Sequence, residues 1–252
     1  MNISNISKIA VTAITSSILG TACLLLSPSV LANKANNNEK LCNIPQDLPK
    51  LKPSKIDCQN KTNVDYYLLA LSWSPQFCFE MRGKNSADVN MQCKDNQFGF
   101  VVHGLWPQKI NAKGKCEQPR NCNTSITVTD NIIKQNLCMM PSASLIQNEW
   151  QKHGSCAFST PSDYYLTTAK LWNSLQKPDL INLQNTKKDL TVGDIQKAFM
   201  TVNPKLTAKN FSIEMNKSRY LKEVRICYDQ KLNYRECEQK GAPPHLSIKV
   251  GK

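Results

Sequence analysis

The apolar and polar positions along the chain first indicate two strands. Residues 66–73 form a nearly continuous apolar run that ends before Pro75, a pattern typical of a strand buried in the middle of a sheet. Residues 97–103 alternate between the two faces of an extended chain and predict a second strand. We expect Gly104 and Pro107 to end this second strand, because both residue types interrupt regular pairing.

Helical periodicity dominates the middle of the chain. A serine that can act as an N-cap, Ser142 or Ser144, precedes a predicted helix over residues 145–153. Two further helices are predicted to begin at Thr160 and Thr191, each with an apolar stripe along one side. The sequence thus predicts three helices that follow the two strands.

The remaining segments define the fold class. Residues 107–140 are rich in Lys, Gly and Asn and contain three cysteines, which predicts a long loop held by disulfides. Strands are expected again at residues 211–215, 220–228 and 245–250. Because strands and helices do not alternate strictly, we predict an α+β fold in which a mostly antiparallel central sheet is flanked by helices, within a disulfide-stapled single domain.

The first 64 residues differ from the rest of the chain. Residues 1–32 carry a single lysine and an apolar run that ends in the small residue Ala32, which predicts a signal peptide cut after that alanine. A retained membrane anchor is the alternative, because the run is nearly long enough to span a bilayer. Residues 33–64 lack apolar periodicity and predict an extended lead-in pinned by Cys42 and Cys58.

The cysteine count and the net charge indicate the compartment and the kind of partner. Eleven cysteines become ten when Cys23 leaves with the signal peptide, and an even number in an exported chain indicates a disulfide framework and an oxidising compartment. Zinc binding is the weaker alternative, because the chain has no closely spaced Cys-x-x-Cys pair. The net charge of +13 favours polyanionic partners without naming one. We therefore expect a periplasmic or secreted monomer, with no stable membrane association after removal of the signal peptide.

Two short segments contain the candidate chemistry. His103 ends the second predicted strand, whereas Glu149, Lys152 and His153 lie within one turn of the first predicted helix, where residues three and four apart share a face. Imidazoles titrate near neutral pH, so two of them with a cation and a carboxylate suit general acid/base chemistry on a phosphodiester. Taken singly, each residue has an ordinary structural explanation, such as a hydrogen-bonded histidine at a strand end.

The same segments carry a family resemblance. Residues 103–107, HGLWP, and residues 149–156, EWQKHGSC, resemble the two active-site segments of the ribonuclease T2 family, whose members are secreted endoribonucleases that act on single-stranded RNA. Residues 65–78 are similar to the first strand of that family and its exit. The resemblance covers most of residues 65–237 and implies that residues 65–252 form a ribonuclease T2-like catalytic domain.

The resemblance implies a mechanism and a set of catalytic residues. RNA carries its own nucleophile, the ribose 2′-hydroxyl, so cleavage needs a base, an acid and positive charge near the phosphorus, without a metal or another cofactor. By analogy with the family, His153 is the base and His103 is the acid, although the residues alone permit the reverse. Lys152 would supply charge to the transition state, and Glu149 would hold or polarise its neighbours. The product would be a 2′,3′-cyclic phosphate that is later opened to a 3′-phosphate.

Recognition of the RNA bases is less well defined. Trp106 is a candidate platform for stacking a base, because aromatic stacking tolerates any base. Some family members have a histidine where this chain has Asn148, and some have an aspartate where it has Gln108. We treat both positions as candidate substrate-binding residues, and the base preference stays open.

The pairing of the cysteines is a further hypothesis. The connectivity of ten cysteines does not follow from sequence alone. We expect Cys156 to pair with Cys116 or Cys122, Cys78 with Cys138, and Cys227 with Cys237.

Single-stranded RNA is the expected partner, and three other functions compete with RNA cleavage. The main alternative is a secreted RNA-binding or effector protein of the same fold without turnover. A cysteine protease built on Cys156 and His153 is disfavoured, because a nucleophile and a base on neighbouring positions of one helix form a poor triad. A zinc hydrolase is disfavoured because the spacing of Glu149 and His153 is not the two-histidine spacing of such sites.

Overall fold

The computed structural model describes residues 42–51 and 56–251, which belong to one compact unit. The predicted signal peptide, residues 1–32, lies outside the described residues. Within the described part of the chain the longest helix has 14 residues, shorter than the roughly 20 residues that a helix needs to cross a bilayer.

A sheet of four strands forms the centre of the fold. Its spatial order is β2-β1-β4-β3, and every neighbouring pair is antiparallel. The strand β1 occupies a central position and is buried along most of its length, as its apolar sequence predicted. The predicted α+β class is confirmed. The strands are β1 (Tyr66–Trp73), β2 (Phe100–Gln108), β3 (Phe211–Met215) and β4 (Leu221–Tyr228).

The second strand extends further than predicted. It begins at Phe100 and continues through Gly104 and Pro107 to Gln108, so the prediction that Gly104 and Pro107 end it is wrong. Pro107 is tolerated because β2 lies at the edge of the sheet, where a residue that lacks an N–H need not interrupt a ladder. Gly104 adjoins a β-bulge that keeps the strand paired beyond it.

Seven α-helices are found among the described residues. The three predicted helices correspond to α4, α5 and α7, and each begins with the expected side-chain cap. The hydroxyl of Ser142 accepts a hydrogen bond from the Leu145 N–H, and Thr160 caps α5. Thr191 forms a reciprocal capping box at the start of α7. The helices are α1 (Ser74–Glu80), α2 (Ala87–Cys93), α3 (Asp130–Asn136), α4 (Ala143–Lys152), α5 (Pro161–Ser174), α6 (Leu180–Thr186) and α7 (Val192–Val202).

The other four helices were not predicted. Each of α1, α2, α3 and α6 has seven residues, about two turns, which is too short to show a periodic apolar stripe. The helix α3 lies inside residues 107–140, which were predicted to form only a loop, and that prediction is wrong for residues 130–136.

The last predicted strand, at residues 245–250, is also wrong. Ser247 and Lys249 form isolated bridges with Thr191 and Tyr220, but no continuous ladder joins this segment to the sheet. Ile248 and Val250 are buried. The apolar residues alternate in this segment because Ile248 and Val250 are buried in the core, and not because the segment forms a strand.

The two faces of the sheet are covered differently. One face packs against the helices in a large core that includes Leu69 of β1, Trp150 of α4 and Phe199 of α7. The other face carries a small apolar cluster, against which Trp106 packs, and its remaining positions are free to carry polar side chains. The small cluster consists of Tyr66, Leu68, Ala70, Cys227 and Cys237.

Five disulfides connect the described chain, in agreement with the even cysteine count. The pair Cys227–Cys237 is confirmed, and of the two partners proposed for Cys156 the structure has Cys122. The predicted pair of Cys78 with Cys138 is wrong. Cys78 bonds instead to Cys93, because α1 and α2 lie side by side, whereas Cys138 and Cys116 tie down the lead-in. The remaining pairs are thus Cys42–Cys138, Cys58–Cys116 and Cys78–Cys93.

Candidate active site

A β-bulge in β2 sets the direction of His103. Two adjacent residues of β1 pair with Val102 and Gly104, so His103 is the extra residue. A bulge bends the strand and shifts the alternation of side chains beyond it. As a result His103 and Trp106, which are three residues apart, lie on the same face, and their rings meet edge to face with centroids 5.1 Å apart.

Helix α4 carries the other three predicted catalytic residues to the same place. Glu149 and Lys152 lie on its last turn, and His153 is its C-cap residue, whose N–H donates to the Glu149 carbonyl at 2.9 Å. The disulfide Cys122–Cys156 ties the end of this helix to the preceding loop. The structure therefore brings His103, Glu149, Lys152 and His153 together, as the sequence predicted.

The carboxylate of Glu149 lies between the two imidazoles. One oxygen is 3.8 Å from Nε2 of His103, and the other is 3.9 Å from Nε2 of His153. The second oxygen also accepts a hydrogen bond of 2.6 Å from Nε1 of Trp106. Burial raises the pKa of Glu149, and the opposing effects of His103, Trp106 and Lys152 offset this rise only in part.

The indole of Trp106 contacts both imidazoles. It stacks against His153 with a centroid distance of 5.4 Å and an interplanar angle of 30°, and it meets His103 edge-on. Gly104 makes this arrangement possible. A Cβ atom at position 104 would lie 2.1 Å from a Glu149 oxygen and 2.6 Å from Nε1 of Trp106, so a side chain there would displace one of them.

Two further residues of the site, Glu223 and Arg225 on β4, were not predicted. An oxygen of Glu223 lies 2.7 Å from Nδ1 of His103. Arg225 donates to the other Glu223 oxygen at 2.6 Å and to Glu214 at 3.0 Å. A signal for them existed in the sequence, because Glu223 and Arg225 alternate with two fully buried aliphatic residues. Such a pattern indicates a polar face on a strand that is otherwise part of the core.

The surroundings of His103 favour its protonated form. Burial lowers the pKa of this ring, but the hydrogen bond to Glu223 and the charge of Glu149 outweigh burial, and the pKa is raised above 6.5. In return, Glu223 has a lowered pKa, because its hydrogen bond to His103 and the charges of His103 and Arg225 outweigh its own burial. His103 is therefore a cation over a wider pH range than a free imidazole.

The surroundings of His153 favour its neutral form. Burial lowers the pKa of this ring well below 6.5, and the positive charges of Arg120, Lys152 and His103 lower it further. Its Nδ1 atom is buried and has no hydrogen-bond partner among the described residues. Among the described residues no carboxylate forms a hydrogen bond with His153, and an oxygen of Glu149 lies 3.9 Å from its Nε2 atom.

Gln108 is not brought into this cluster, and Asn148 lies beside it. The Gln108 side chain is 5% exposed and donates to the Pro107 carbonyl at 2.9 Å; it lies five residues beyond His103 along β2, a distance of about 16 Å. Asn148 precedes Glu149 on α4 and is partly buried, and successive side chains on a helix point about 100° apart. The substrate-binding roles of both residues stay predictions.

The arrangement supplies one imidazole that keeps its proton and one that gives it up easily. Titratable groups whose environments move their pKa values apart are the pattern of an acid/base pair. Lys152, partly exposed at the end of α4, adds a cation whose charge acts on Glu149 and His153. The site can therefore accept a proton at one point and donate a proton at another.

The fold and the site together define a class: an α+β domain, cross-linked by disulfides, with two histidines around a buried glutamate on one face of an antiparallel sheet. The model of the Ribonuclease T2 family matches residues 64–237. The chain belongs to the Ribonuclease T2 family, and the resemblance stated from the sequence is confirmed.

Two bacterial relatives extend this finding. The chain is 37% identical over 186 residues to a probable ribonuclease of Haemophilus influenzae, an alignment that covers 71% of this chain and 63% of the relative. It is 33% identical over 120 residues to a ribonuclease of Aeromonas hydrophila, with 47% of this chain and 50% of the relative covered. The matched region thus spans about half to two thirds of the length of these relatives.

Solved structures share the fold at lower identity. The RNase-related protein from Calystegia sepium superposes with a TM-score of 0.59 at 20% identity, over 75% of this chain and 98% of that one. RNase NT, solved in complex with 5′-AMP, superposes with a TM-score of 0.56 at 17% identity, over 75% and 98% of the two chains. At these identities the likeness shows a common fold.

Proposed function

We propose that the protein is an endoribonuclease that cleaves single-stranded RNA through the ribose 2′-hydroxyl and needs no metal cofactor. The observation that carries the proposal is the position of His103 and His153 on either side of the Glu149 carboxylate, with ring pKa values moved in opposite directions. Family membership and the ribonuclease names of the relatives support the reaction class. The net charge of +13 suits a polyanionic substrate.

The protonation states allot the two catalytic roles. His153, held neutral, takes the proton of the 2′-hydroxyl while that oxygen forms a bond to phosphorus. The bond from phosphorus to the 5′-oxygen breaks, and His103, held protonated, gives its proton to the leaving oxygen. The products are a 2′,3′-cyclic phosphate and a free 5′-hydroxyl. In a second step water takes the place of the leaving alcohol, the two imidazoles exchange roles, and a 3′-phosphate forms.

The remaining site residues act on charge and position. Lys152 supplies positive charge to the pentacoordinate phosphorus, where preformed charge stabilises the transition state most. Glu149 positions Trp106 and both rings, and it stabilises the positive charge that develops on His153 as the proton arrives. Trp106 is the proposed stacking platform for a base next to the cleaved bond, with Asn148 and Gln108 as the less well supported substrate-binding positions.

The disulfides support a location of the enzyme outside the cytoplasm. Five disulfides occur within the described residues, and such a density is typical of chains that fold in an oxidising compartment. We therefore propose that the protein acts in the periplasm or outside the cell after removal of residues 1–32. We also propose that it is a monomer.

The deciding experiment incubates the mature protein with homopolymeric RNA in excess EDTA at several pH values and follows the products by phosphorus NMR. A cyclic phosphate that appears first and a 3′-phosphate that follows are the expected products. Activity that disappears with EDTA contradicts a metal-independent reaction. RNA that is bound but never cleaved contradicts the enzyme and favours a binding protein of the same fold.

A further inference from the structure

We infer that a column of aromatic and basic side chains beyond the end of β1 binds the RNA on the 3′ side of the cleaved bond. This inference rests on the proposed function and adds a second contact with the same substrate. The surface, called here the α1 platform, consists of Phe79, Arg82, Tyr220 and Lys249. None of these residues belongs to the two motifs that identify the family in this chain.

The platform consists of two neighbouring aromatic rings with a cation beside each of them. Phe79 is 52% exposed, and the guanidinium of Arg82 lies 3.5 Å from its ring centroid. The ring of Tyr220 is nearly parallel to that of Phe79, at 18°, with the centroids 6.5 Å apart. The ammonium of Lys249 lies 5.4 Å from the Tyr220 centroid. A nucleic acid base can continue such a column, because bases stack on arginine planes as well as on aromatic rings.

Backbone and side-chain contacts hold the platform before any ligand binds. Asn216 donates to the carboxylate of Glu80 in α1 at 3.1 Å and accepts from the Tyr220 N–H at 2.9 Å. The backbone of Lys249 bonds to the residues on both sides of Tyr220, at 2.8 Å each. Three separate segments thus meet here. A surface that is ordered in advance loses less conformational entropy when it binds.

The charge of the surrounding groove favours a polyanion. A groove of about 620 Å³ adjoins Phe79 and Arg82, and Lys84, Lys94 and Phe98 contribute to its lining. None of the residues that line the groove is Asp or Glu, and the carboxylate of Glu80, which follows Phe79 in the chain, is already bonded to Gln76 and Asn216. Cations that follow a phosphate backbone, beside aromatic rings that stack bases, are the combination that single-stranded nucleic acids require.

The position of the platform gives the direction of the RNA. Tyr220 directly precedes β4 and lies three residues from Glu223, a distance of about 10 Å in an extended chain, and Glu223 contacts His103. Because His103 protonates the leaving 5′-oxygen in the proposed mechanism, the 3′ portion of the RNA leaves the site on this side. Trp106 pairs with Leu68, near the opposite end of β1. The RNA would therefore pass from Trp106 across His103 to the α1 platform.

The test compares substrates that differ only in their length on one side. The substrates are a dinucleotide, the same dinucleotide with two nucleotides added on the 3′ side, and the dinucleotide with two added on the 5′ side. We expect the 3′ extension to raise kcat/KM of the native protein about 10-fold, the effect of one stacked base. Phe79→Ala and Tyr220→Ala should remove this gain and leave the dinucleotide rate unchanged, whereas Phe79→Trp should keep the gain.

A matched control and a second readout separate this inference from the proposed function. Leu166→Ala removes another exposed apolar side chain, which is 68% exposed on α5, and should keep the 3′ gain. If the native protein cleaves nothing, the proposed function fails, and the platform is tested instead by the affinity for the 3′-extended strand with 2′-deoxyribose at the cleavage position. A Phe79→Ala loss of about 10-fold in that affinity supports the platform.

Three results would overturn the inference. The first is a native enzyme that gains nothing from the 3′ extension. The second is a Phe79→Ala variant that keeps the full gain, and the third is equal affinity of native and variant proteins for the deoxy strand. Arg82→Gln covers the case in which Phe79→Ala does not fold, because it leaves Phe79 in place. This variant should also reduce the gain from the 3′ extension, and its melting temperature should equal that of the native protein.

Discussion

His103 and His153 carry the same functional group at almost the same distance from Glu149, but their surroundings differ. His103 lies on a bulged edge strand with its side chain 36% exposed, and Glu223 binds its Nδ1 atom. His153 ends a helix with its side chain 10% exposed, and no group binds its Nδ1 atom within the described chain. The Glu149 carboxylate lies between the two rings, whereas the second carboxylate, Glu223, is bonded to His103 alone and favours the proton on that ring.

This difference sets the pH dependence of the reaction. In the proposed mechanism the productive state has His103 protonated and His153 neutral. This state prevails between the two pKa values, the one raised above 6.5 and the other lowered below it. We expect a bell-shaped profile of kcat/KM whose acidic limb belongs to His153 and lies below pH 6.5, and whose alkaline limb belongs to His103 and lies above it. The reverse assignment would use a state that is rare at every pH.

The same shifts affect the free energy of unfolding with opposite signs. The raised pKa of His103 contributes stability that is complete below the unfolded value of 6.5 and is lost as pH rises through the folded pKa. The lowered pKa of His153 has the opposite effect: stability falls as pH falls from 6.5 towards the folded pKa, because the unfolded chain takes up the proton first.

The largest expected effect comes from removal of either ring. His103→Ala and His153→Ala should each lower kcat/KM on RNA by about 10²- to 10⁴-fold. A nucleoside 3′-(4-nitrophenyl phosphate) has a leaving group that needs no proton, so His103→Ala should regain most of its rate on this substrate and His153→Ala should not. Steady-state kinetics on both substrates check this. Recovery by His153→Ala instead would show that the two roles are reversed.

Gly104→Ala tests the shared carboxylate. The new methyl group would occupy the space of the Glu149 oxygen and of Nε1 of Trp106, so we expect a loss of stability of about 1–3 kcal/mol and a fall in activity larger than that loss explains. Thermal unfolding and kcat/KM are measured together. Gly114→Ala is the matched control, because a Cβ atom there meets nothing within 4 Å. Native kinetics for Gly104→Ala would show that Glu149 need not hold its position.

Glu223→Gln should bring the pKa values of the two histidines closer together. Loss of the carboxylate that bonds Nδ1 of His103 removes the main cause of its raised pKa. The alkaline limb of the rate profile should move to lower pH, and the maximal rate should fall by less than about 100-fold, less than loss of the ring itself. Glu214→Gln is the control, because Glu214 contacts Arg225 and not His103. An unmoved alkaline limb would contradict the role given to Glu223.

Arg120→Gln should have the smallest effect, on the other histidine. Arg120 donates two hydrogen bonds of 2.8 Å to Asp57, and its charge helps to lower the pKa of His153. Its removal should move the acidic limb to slightly higher pH, still below 6.5 because burial is the larger cause. Arg235→Gln, which breaks a pair with Glu238, serves as the control. A shift of the alkaline limb instead would mean that Arg120 acts on His103.

Much of the site could be predicted because it lies in short continuous strings. One helical turn joins Glu149, Lys152 and His153 by local geometry alone, and the caps at Ser142, Thr160 and Thr191 mark helices through equally local hydrogen bonds. The long apolar run of β1 predicts a central strand, because this pattern too lies within one continuous segment. Seven-residue helices leave no such local trace, and the predicted partner of Cys78 was wrong because pairing depends on which helices lie side by side.

The sequence alone predicts the fold class, the family and the four proposed catalytic residues, since each depends on local periodicity or on a contiguous motif. The tertiary structure adds the surroundings that move the pKa values of the two histidines in opposite directions. Regular alternation would place His103 and Trp106 on opposite faces of β2, and a bulge imposed by pairing with β1 puts them on the same one. The carboxylate of Glu223 comes from a strand 120 residues further along the chain, and the field that it creates at His103 exists only when that strand is in place.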